Sequence, residues 1–277
     1  MPIISFIVGL LMGIANLIPG VSGGTMALIG GIYDQLISSI NSVASLKINR
    51  DAVFFLLTII AGITISIFGF SHLINIAMER IPGYTYGCFI GLIAGSIPFV
   101  MKRRTKGKRS NYLFMLLGIV LVVLLAFTAG DPGKVNETGE VTHSIGSLVY
   151  DSIAGFFGAA SMILPGLSGA FILLIMNEYE RIVNAVSSTD ILILLFTAVG
   201  IFLGIILVSR FLKKLLVKFP SATFSFLAGL MIGSIPDLAS RAGAYPEVAF
   251  RVLGGTLFGL LMSFFLSKAG QRNNEEM

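Results

Sequence analysis

Long apolar runs separated by short polar or charged loops dominate the hydrophobic pattern of this chain. An α-helix rises about 1.5 Å per residue, so roughly 20 apolar residues cross a bilayer core of about 30 Å. Six runs come close to that length and predict spanning helices at 53–71, 85–101, 112–129, 191–209, 222–238 and 249–267. The pattern therefore predicts an all-α, polytopic integral membrane protein.

The remaining apolar sequence comes in two pairs of half-length segments, 3–18 with 25–40 and 147–163 with 168–186. A Pro-Gly break joins the members of each pair, at Pro19-Gly20 and at Pro165-Gly166. Proline removes a backbone donor, and the freed groups in a membrane must face protein, water or ligand. We expect two re-entrant helical hairpins, at 3–40 and 147–186, in preference to kinked transmembrane helices.

The two breaks have nearly the same sequence. Leu17-Ile-Pro-Gly-Val-Ser-Gly-Gly-Thr25 is followed 146 residues later by Ile163-Leu-Pro-Gly-Leu-Ser-Gly-Ala-Phe171. At an offset of 138, Gly95-Ser-Ile-Pro98 recurs as Gly233-Ser-Ile-Pro236. Each unit then contains one hairpin and three spanning helices, and because three is odd the second unit is inverted. An inverted repeat with paired helix breaks is typical of transporters that work by alternating access.

The repeat defines the domain organisation. We predict a first unit at 1–129, an external loop at 130–146, a second unit at 147–267 and a cytoplasmic tail at 268–277. The basic loops 102–109 and 210–218 belong in the cytoplasm by the positive-inside rule, and the acidic loop 130–146 lies outside. Both termini are then cytoplasmic, in a multi-pass protein of the bacterial inner membrane.

Composition narrows the function classes. The chain is 55% hydrophobic and 12% charged, with a mean hydropathy of +0.93 and a net charge of +5. Because the basic residues lie in loops between apolar segments, they indicate membrane topology and no nucleic acid partner. The single Cys88 excludes an intrachain disulfide, and His72 and His143 are too far apart to suggest a metal site. We expect no metal and no cofactor.

The residues after each break provide an anion site without a buried lysine. A serine is a good N-cap, and the N–H groups of the next residues lack intrahelical partners. Small residues let an anion approach those groups, at the positive end of the helix dipole. The predicted phosphate ligands are Ser22, Gly23, Gly24, Thr25, Ser168, Gly169 and Ala170. Asn16, one turn before the first break, is a further candidate; Met162 replaces it in the second copy.

Most glycines have a simpler interpretation. Gly9, Gly13, Gly62 and Gly200 lie in apolar segments, where small residues let helices pack closely. The same interpretation competes with ligand binding at the two Ser-Gly pairs.

Few ionisable residues lie in or beside the apolar segments. Asp34, Glu178 and Glu180 follow the breaks and are candidates for ion coupling, with ordinary interfacial acids as the alternative. Arginine suits bidentate contact with a lipid phosphate. The candidates for that contact are the matched pair Arg103 and Arg241, together with Arg251, although Arg103 also fits a topology-setting charge.

The run Gly13-Ile-Ala-Asn-Leu-Ile-Pro-Gly-Val-Ser-Gly-Gly-Thr25, repeated degenerately at 159–171, resembles the bacterial PopT-type polyprenyl-phosphate transporters. That family was once catalogued as a domain of unknown function, and the resemblance covers essentially the whole chain. It implies return of undecaprenyl phosphate from the outer to the cytoplasmic leaflet, for reuse in peptidoglycan and other envelope polymers. It also implies dependence on an ion gradient, with H⁺ or Na⁺ as coupling ion. The second copy departs from the motif at Met162, Ala170 and Phe171.

The sequence also leaves two other functions open, those of a phosphatase and of a small-ion transporter. Undecaprenyl-pyrophosphate phosphatases have a similar loop, but it continues with arginine and they also need clustered glutamates. Here glycine follows Ser22 and Ser168, and the hairpins lack such a cluster, so we predict that the chain is not an enzyme. A small-ion transporter would use the same architecture. The sequence indicates neither the oligomeric state nor the length of the polyprenyl tail.

Overall fold

The computed structural model describes residues 2–18, 20–47, 49–102, 109–128, 143–242 and 249–275. Within them the chain forms α-helices and no β-strand, which confirms the all-α prediction. In chain order the helices are α1 (Pro2–Asn16), α2 (Gly23–Ile29), α3 (Tyr33–Ala44), α4 (Arg50–Arg80), α5 (Pro82–Lys102), α6 (Arg109–Thr128), α7 (Ile145–Ile163), α8 (Gly169–Ile175), α9 (Tyr179–Ser188), α10 (Ile191–Lys218), α11 (Pro220–Ala242) and α12 (Ala249–Glu275).

Six of these helices are long and apolar enough to cross a membrane: α4, α5, α6, α10, α11 and α12. They coincide with the six predicted spans, and the chain is a multi-pass membrane protein. Several run past the predicted ends. Helix α4 has 31 residues, and α12 continues to Glu275, through most of the predicted tail at 268–277. The apolar run sets only a minimum length, because polar residues of good helix propensity extend a helix beyond the bilayer core.

The second arm of each predicted hairpin differs from expectation. Instead of one helix over 25–40, the chain forms α2 and then α3, and 168–186 divides in the same way into α8 and α9. Gly31 and Asn177, 146 residues apart, stand at these divisions with φ of +73° and +59°. Glycine and asparagine tolerate this left-handed backbone better than other residues, so both sites end a helix. Helix α1 packs on α2, and α7 packs on α8.

Helices α5 and α11 form the centre of the molecule. They pack against each other, and 56% and 61% of the residues in their apolar segments are buried, against 17–22% in the other four long helices. Helix α12 covers α5, and α6 covers α11. The outer four therefore present apolar side chains outward, as expected of a lipid-facing surface.

Glycines permit the closest helix pairs, as predicted. A Cβ at Gly9 of α1 would lie 2.7 Å from the carbonyl oxygen of Ile59 in α4, and one at Gly62 would lie 2.6 Å from that of Phe6. Gly13 also abuts α4, and Gly200 of α10 abuts the backbone of α7. Packing is therefore confirmed as the role of these four glycines.

Candidate functional site

The two breaks meet at the centre of the structure. Gly20 and Gly166 have φ of +87° and +84°, which glycine adopts without steric cost, and each turns the chain sharply. The N–H of Gly166 donates to the Thr25 hydroxyl oxygen at 2.9 Å, joining the second break to α2. A Cβ at Gly166 would lie within 3 Å of the backbone of Leu230, in the middle of α11. Pro165 is buried beside Gly166, whereas Pro19 lies outside the described residues.

The first break holds the end of α7. The Ser22 hydroxyl lies 3.1 Å from the carbonyl oxygen of Leu164 and 3.3 Å from that of Met162, and the Tyr33 hydroxyl donates to the carbonyl of Ile163 at 3.1 Å. The last carbonyls of a helix lack intrahelical partners. Hydroxyls from the first half of the chain satisfy them here, so the two breaks form one hydrogen-bonded unit, which we term the break junction (residues 16, 20–25, 33 and 162–168).

The first-turn donors of α2 are engaged within the protein. Gly23 N–H donates to Asn16 Oδ1 at 3.0 Å, Gly24 N–H donates to the Ser22 hydroxyl oxygen at 3.2 Å, and Thr25 N–H donates to the Ser22 carbonyl at 3.0 Å. Every residue of α2 is buried. In this conformation, therefore, Asn16 and Ser22 accept hydrogen bonds from the N–H groups that the sequence predicts to bind an anion.

The second break is arranged differently. The Ser168 side chain makes no capping hydrogen bond, although Ser168 is the N-cap of α8. Met162 takes the position that Asn16 has in the first copy, and its Cγ would lie 2.6 Å from a Cβ at Gly169. Ala170 is half-buried in the first turn of α8. The hydroxyl of Ser168 is thus free to face a neighbouring cavity.

That cavity, which we term the break cleft, is narrow, and a water-sized sphere has only about 10 Å³ of room inside it. The breaks contribute Gly20, Gly166, Ser168 and Phe171 to its wall. Its other walls are the C-terminal halves of α6 and α11, with Val122, Ala126, Ser234 and Asp237. The cleft therefore brings together both Pro-Gly turns, two hydroxyls and one carboxylate.

Arg241 stands beside the break cleft and is paired. Its Nε donates to Asp237 Oδ2 at 2.9 Å, one helical turn away in α11. A Cβ at Gly20 would lie 2.9 Å from the same Oδ2 and 3.7 Å from Arg241 Nε. Glycine thus lets this ion pair approach the first break. Sequence reasoning missed Asp237; the signal was its position directly after Gly233-Ser-Ile-Pro236, where the first copy has Phe99.

The other predicted ligands lie elsewhere. Arg251 is exposed at the start of α12, and Arg103 lies outside the described residues. Asp34 is exposed and Glu180 half-buried, each in the first turn of its helix, α3 and α9. No group of three His, Cys, Asp or Glu side chains that could hold a metal ion occurs among the described residues.

A second polar cluster lies apart from the break cleft. Arg181 of α9 binds Asp151 of α7 with two hydrogen bonds, Nε to Oδ1 at 2.7 Å and a terminal nitrogen to Oδ2 at 3.1 Å. Its Nε is also 3.6 Å from Glu178 Oε2. Burial, together with the neighbouring Asp151 carboxylate, raises the pKa of Glu178 to about 7, although Arg181 opposes the shift. Of this cluster, sequence reasoning identified only Glu178.

The chain is similar in sequence to one known protein family. The sequence model of the VCA0040-like family, described as undecaprenyl phosphate translocase-like, matches residues 12–243. A polyprenyl-phosphate transporter of Vibrio cholerae serotype O1 is 32% identical over 246 residues, covering 84% of this chain and 76% of the relative. A polyprenyl-phosphate transporter of Staphylococcus aureus is 31% identical over 241 residues, covering 84% of each chain. No solved structure matches the chain.

Proposed function

Because this chain belongs to the undecaprenyl phosphate translocase-like family, we propose that it moves undecaprenyl phosphate, or a related polyprenyl phosphate, across the bacterial cytoplasmic membrane. The observation that carries the proposal is the family match over residues 12–243, with two relatives named as polyprenyl-phosphate transporters. The family is described as a translocase family and not as an enzyme family, in agreement with the prediction from the breaks. Net movement returns the carrier lipid from the outer to the cytoplasmic leaflet.

The two halves of the chain act as inverted units around the break junction. In support, α2 and α8 begin 146 residues apart, and α5 and α11 begin 138 residues apart. Each half contributes three long apolar helices after its break, and an odd number of crossings inverts the second half. With the basic loop 102–109 in the cytoplasm, both termini are cytoplasmic and the C-terminal ends of α6 and α11 lie at the outer surface.

In this orientation we infer an outward-facing state, in which the cleft is narrow. The break cleft lies beside the C-terminal, outer halves of α6 and α11. The corresponding inner position is filled, because the fully buried α2 packs against α5, α7 and α12. Helix α8 instead packs chiefly on α7 and α9, and the break cleft adjoins its N-terminal end. Exchange of these two arrangements would move a bound head group from one side to the other.

The phosphate head group binds at the break cleft, which widens to admit it, and its polyprenyl tail stays in the bilayer. Arg241 supplies a positive charge. Ser168 supplies its hydroxyl, and Gly169 and Ala170 supply their backbone N–H groups. In this structure Asp237 pairs with the Arg241 guanidinium. An arriving phosphate competes for that guanidinium, because charge-assisted bonds to phosphate are among the strongest that arginine makes.

The first break serves the inner leaflet. When the break junction opens there, Ser22 and Thr25 lose their partners at the end of α7 and at Gly166. Asn16 and Ser22 then release the N–H groups of Gly23 and Gly24 to the phosphate. Arg103 matches Arg241 at the offset of 138 residues and provides the inner charge. Arg251, exposed at the outer end of α12, attracts the anionic head group toward the cleft.

Leaflet exchange of undecaprenyl phosphate in liposomes tests the function. We expect exchange by the unchanged protein, and a fall of tenfold or more, roughly, with Arg241→Ala, because a lost charged hydrogen bond costs about 1.5–3 kcal/mol. Ser168→Ala should slow exchange severalfold. Arg80→Ala and Ser187→Ala are matched controls, since both residues are exposed and distant from the cleft.

Three outcomes would contradict the proposal. Absence of exchange by the unchanged protein, with and without an imposed ion gradient, excludes the lipid-phosphate transporter. Equal transport of inorganic phosphate and of the lipid would indicate a small-anion transporter instead. Release of phosphate from undecaprenyl pyrophosphate would indicate the phosphatase.

A further inference from the structure

The cluster of Asp151, Glu178 and Arg181 has no part in the proposed head-group site. The Asp151 side chain is fully buried, and the side chains of Arg181 and Glu178 are 14% and 10% exposed. Buried ionisable groups in a membrane protein are costly and most often functional. The cluster is therefore a candidate for a function of its own.

Its charges do not balance. Among the described residues one guanidinium faces two carboxylates, so this trio carries a net charge of −1 when both acids are ionised. Both Asp151 oxygens accept from Arg181, whereas the buried Glu178 Oε2 has no hydrogen-bond partner. A buried, unpartnered carboxylate oxygen is unfavourable in a medium of low dielectric constant. One added proton on Glu178 removes the excess charge.

The helices packed around the cluster bring no second cation to Glu178. Helix α8 has no charged residue, and α10 has none before Arg210. The other acidic side chains near the cluster are Glu180, two residues after Glu178, and Asp190 at the start of α10, which is paired with His143 at 2.7 Å. That hydrogen bond lowers the pKa of Asp190, which keeps Asp190 ionised. The surroundings of Glu178 therefore favour its protonated form.

A metal cation suits the cluster poorly. Arg181 already occupies both oxygens of Asp151, and its Nε lies only 3.6 Å from Glu178 Oε2. A hard cation needs several oxygen ligands and would stand beside a positive charge. A proton needs one lone pair and no further space. The geometry thus favours H⁺ over Na⁺.

The cluster is present in only one half of the chain. At the offset of 146 residues, Asp151, Glu178 and Arg181 correspond to Ser5, Ile32 and Gln35, and none of these is ionisable. The first half forms the matching helices without the cluster. The charges are therefore not a requirement for folding this arrangement of helices.

Helix α8 connects the cluster to the break cleft. Ser168 at its N-terminus lines the cleft, and Glu178 follows its C-terminus by three residues. Seven helical residues span about 10 Å and move as a unit. A change in charge at Glu178 alters its attraction to Arg181 and so the position of α8 at the cleft.

We propose that Glu178 is the proton-binding carboxyl of this protein, held by Asp151 and Arg181, and that α8 links its protonation to head-group binding at Ser168. The inference rests on the proposed transport function. Protonation of Glu178 from the outer side accompanies inward movement of the lipid phosphate, and release of the proton resets the carrier.

Transport driven by a pH gradient tests this inference separately from the function itself. The ratio of leaflet exchange with an imposed pH gradient to exchange without it should exceed one severalfold in the unchanged protein. In Glu178→Gln that ratio should fall to one. Glu79→Gln makes the same chemical change at an exposed carboxylate in the last turn of α4 and should retain the full response.

A second measurement covers the case in which Glu178→Gln exchanges no lipid. Infrared difference spectra of the purified protein should show a protonated carboxyl band that titrates near neutral pH, absent in Glu178→Gln and retained in Glu79→Gln. Persistence of that band in Glu178→Gln would overturn the assignment. A gradient response that is unchanged in Glu178→Gln would overturn it too, as would a response that follows Na⁺ at constant pH. Loss of exchange in the unchanged protein would count instead against the proposed function.

Discussion

Hydroxyl side chains decide how the two breaks are joined. Thr25 accepts from Gly166 N–H, and Ser22 lies within donor distance of two carbonyls at the end of α7. In a membrane interior water does not satisfy such groups, so each freed backbone group needs a protein partner. Ser168 has the same place in the second motif and faces the break cleft instead. The two equivalent serines therefore have different surroundings in this conformation: Ser22 joins the two breaks, and Ser168 lines the cleft.

The bond from Gly166 to Thr25 can be tested without a change of shape. Thr25→Val keeps the side-chain volume and leaves the buried Gly166 N–H unpaired, at a cost of about 1–3 kcal/mol. We expect a lower apparent melting temperature in detergent. Thr58→Val is the control, because Thr58 is half-buried on α4 and its hydroxyl donates to the Phe54 carbonyl within that helix. Equal melting temperatures for the two variants would contradict this role of Thr25.

Helix ends and helix contacts depend on small residues at particular places. Gly31 and Asn177 end α2 and α8 through left-handed backbone, which is why neither second arm is one helix. Sequence reasoning located both breaks and the six long helices but missed these two divisions. A glycine or asparagine within an apolar run fits either a packing contact or a turn. Only the surrounding structure distinguishes the two.

Two glycines of α4 provide a matched test of helix packing. Gly62 faces α1, and a Cβ there would lie 2.6 Å from the Phe6 carbonyl oxygen, whereas Gly69 has no atom within 4 Å of its added Cβ. We expect Gly62→Ala to destabilise the protein by about 1–3 kcal/mol, because overpacking forces α1 and α4 apart. Gly69→Ala should be neutral or stabilise by up to about 1 kcal/mol. Thermal unfolding in detergent measures both, and the reverse order would refute the packing role.

At the scale of the whole molecule, two similar halves are in unlike states. Helix α2 is fully buried, whereas α8 has only Gly169 and Phe171 buried and borders the break cleft. When a segment can alternate between two conformations, two similar segments of one protein can be in different conformations at the same time. The difference between the halves supports an outward-facing state of the proposed transporter.

Cysteine accessibility tests that state. Cys88 is the single cysteine, so Cys88→Ala provides a background for Ser168→Cys and Ser22→Cys. A small, membrane-impermeant thiol reagent added outside intact cells should modify Cys at 168, which borders the cleft. It should modify Cys at 22 more slowly, because the native Ser22 is 1% exposed and Ser168 is 7% exposed. Faster modification at 22 than at 168 would show that the outward-facing assignment is wrong.

The sequence by itself determined the helical class, the six spans, the positions of the breaks and the family. These follow from local properties: apolar length, proline chemistry and a motif carried by adjacent residues. The tertiary structure decided which polar groups meet. The Asp237–Arg241 pair reaches Gly20, and Asp151 reaches Arg181, only once α11 packs on the first break and α7 packs near α9. Such contacts join residues far apart in the chain, and no local pattern specifies the distance between them.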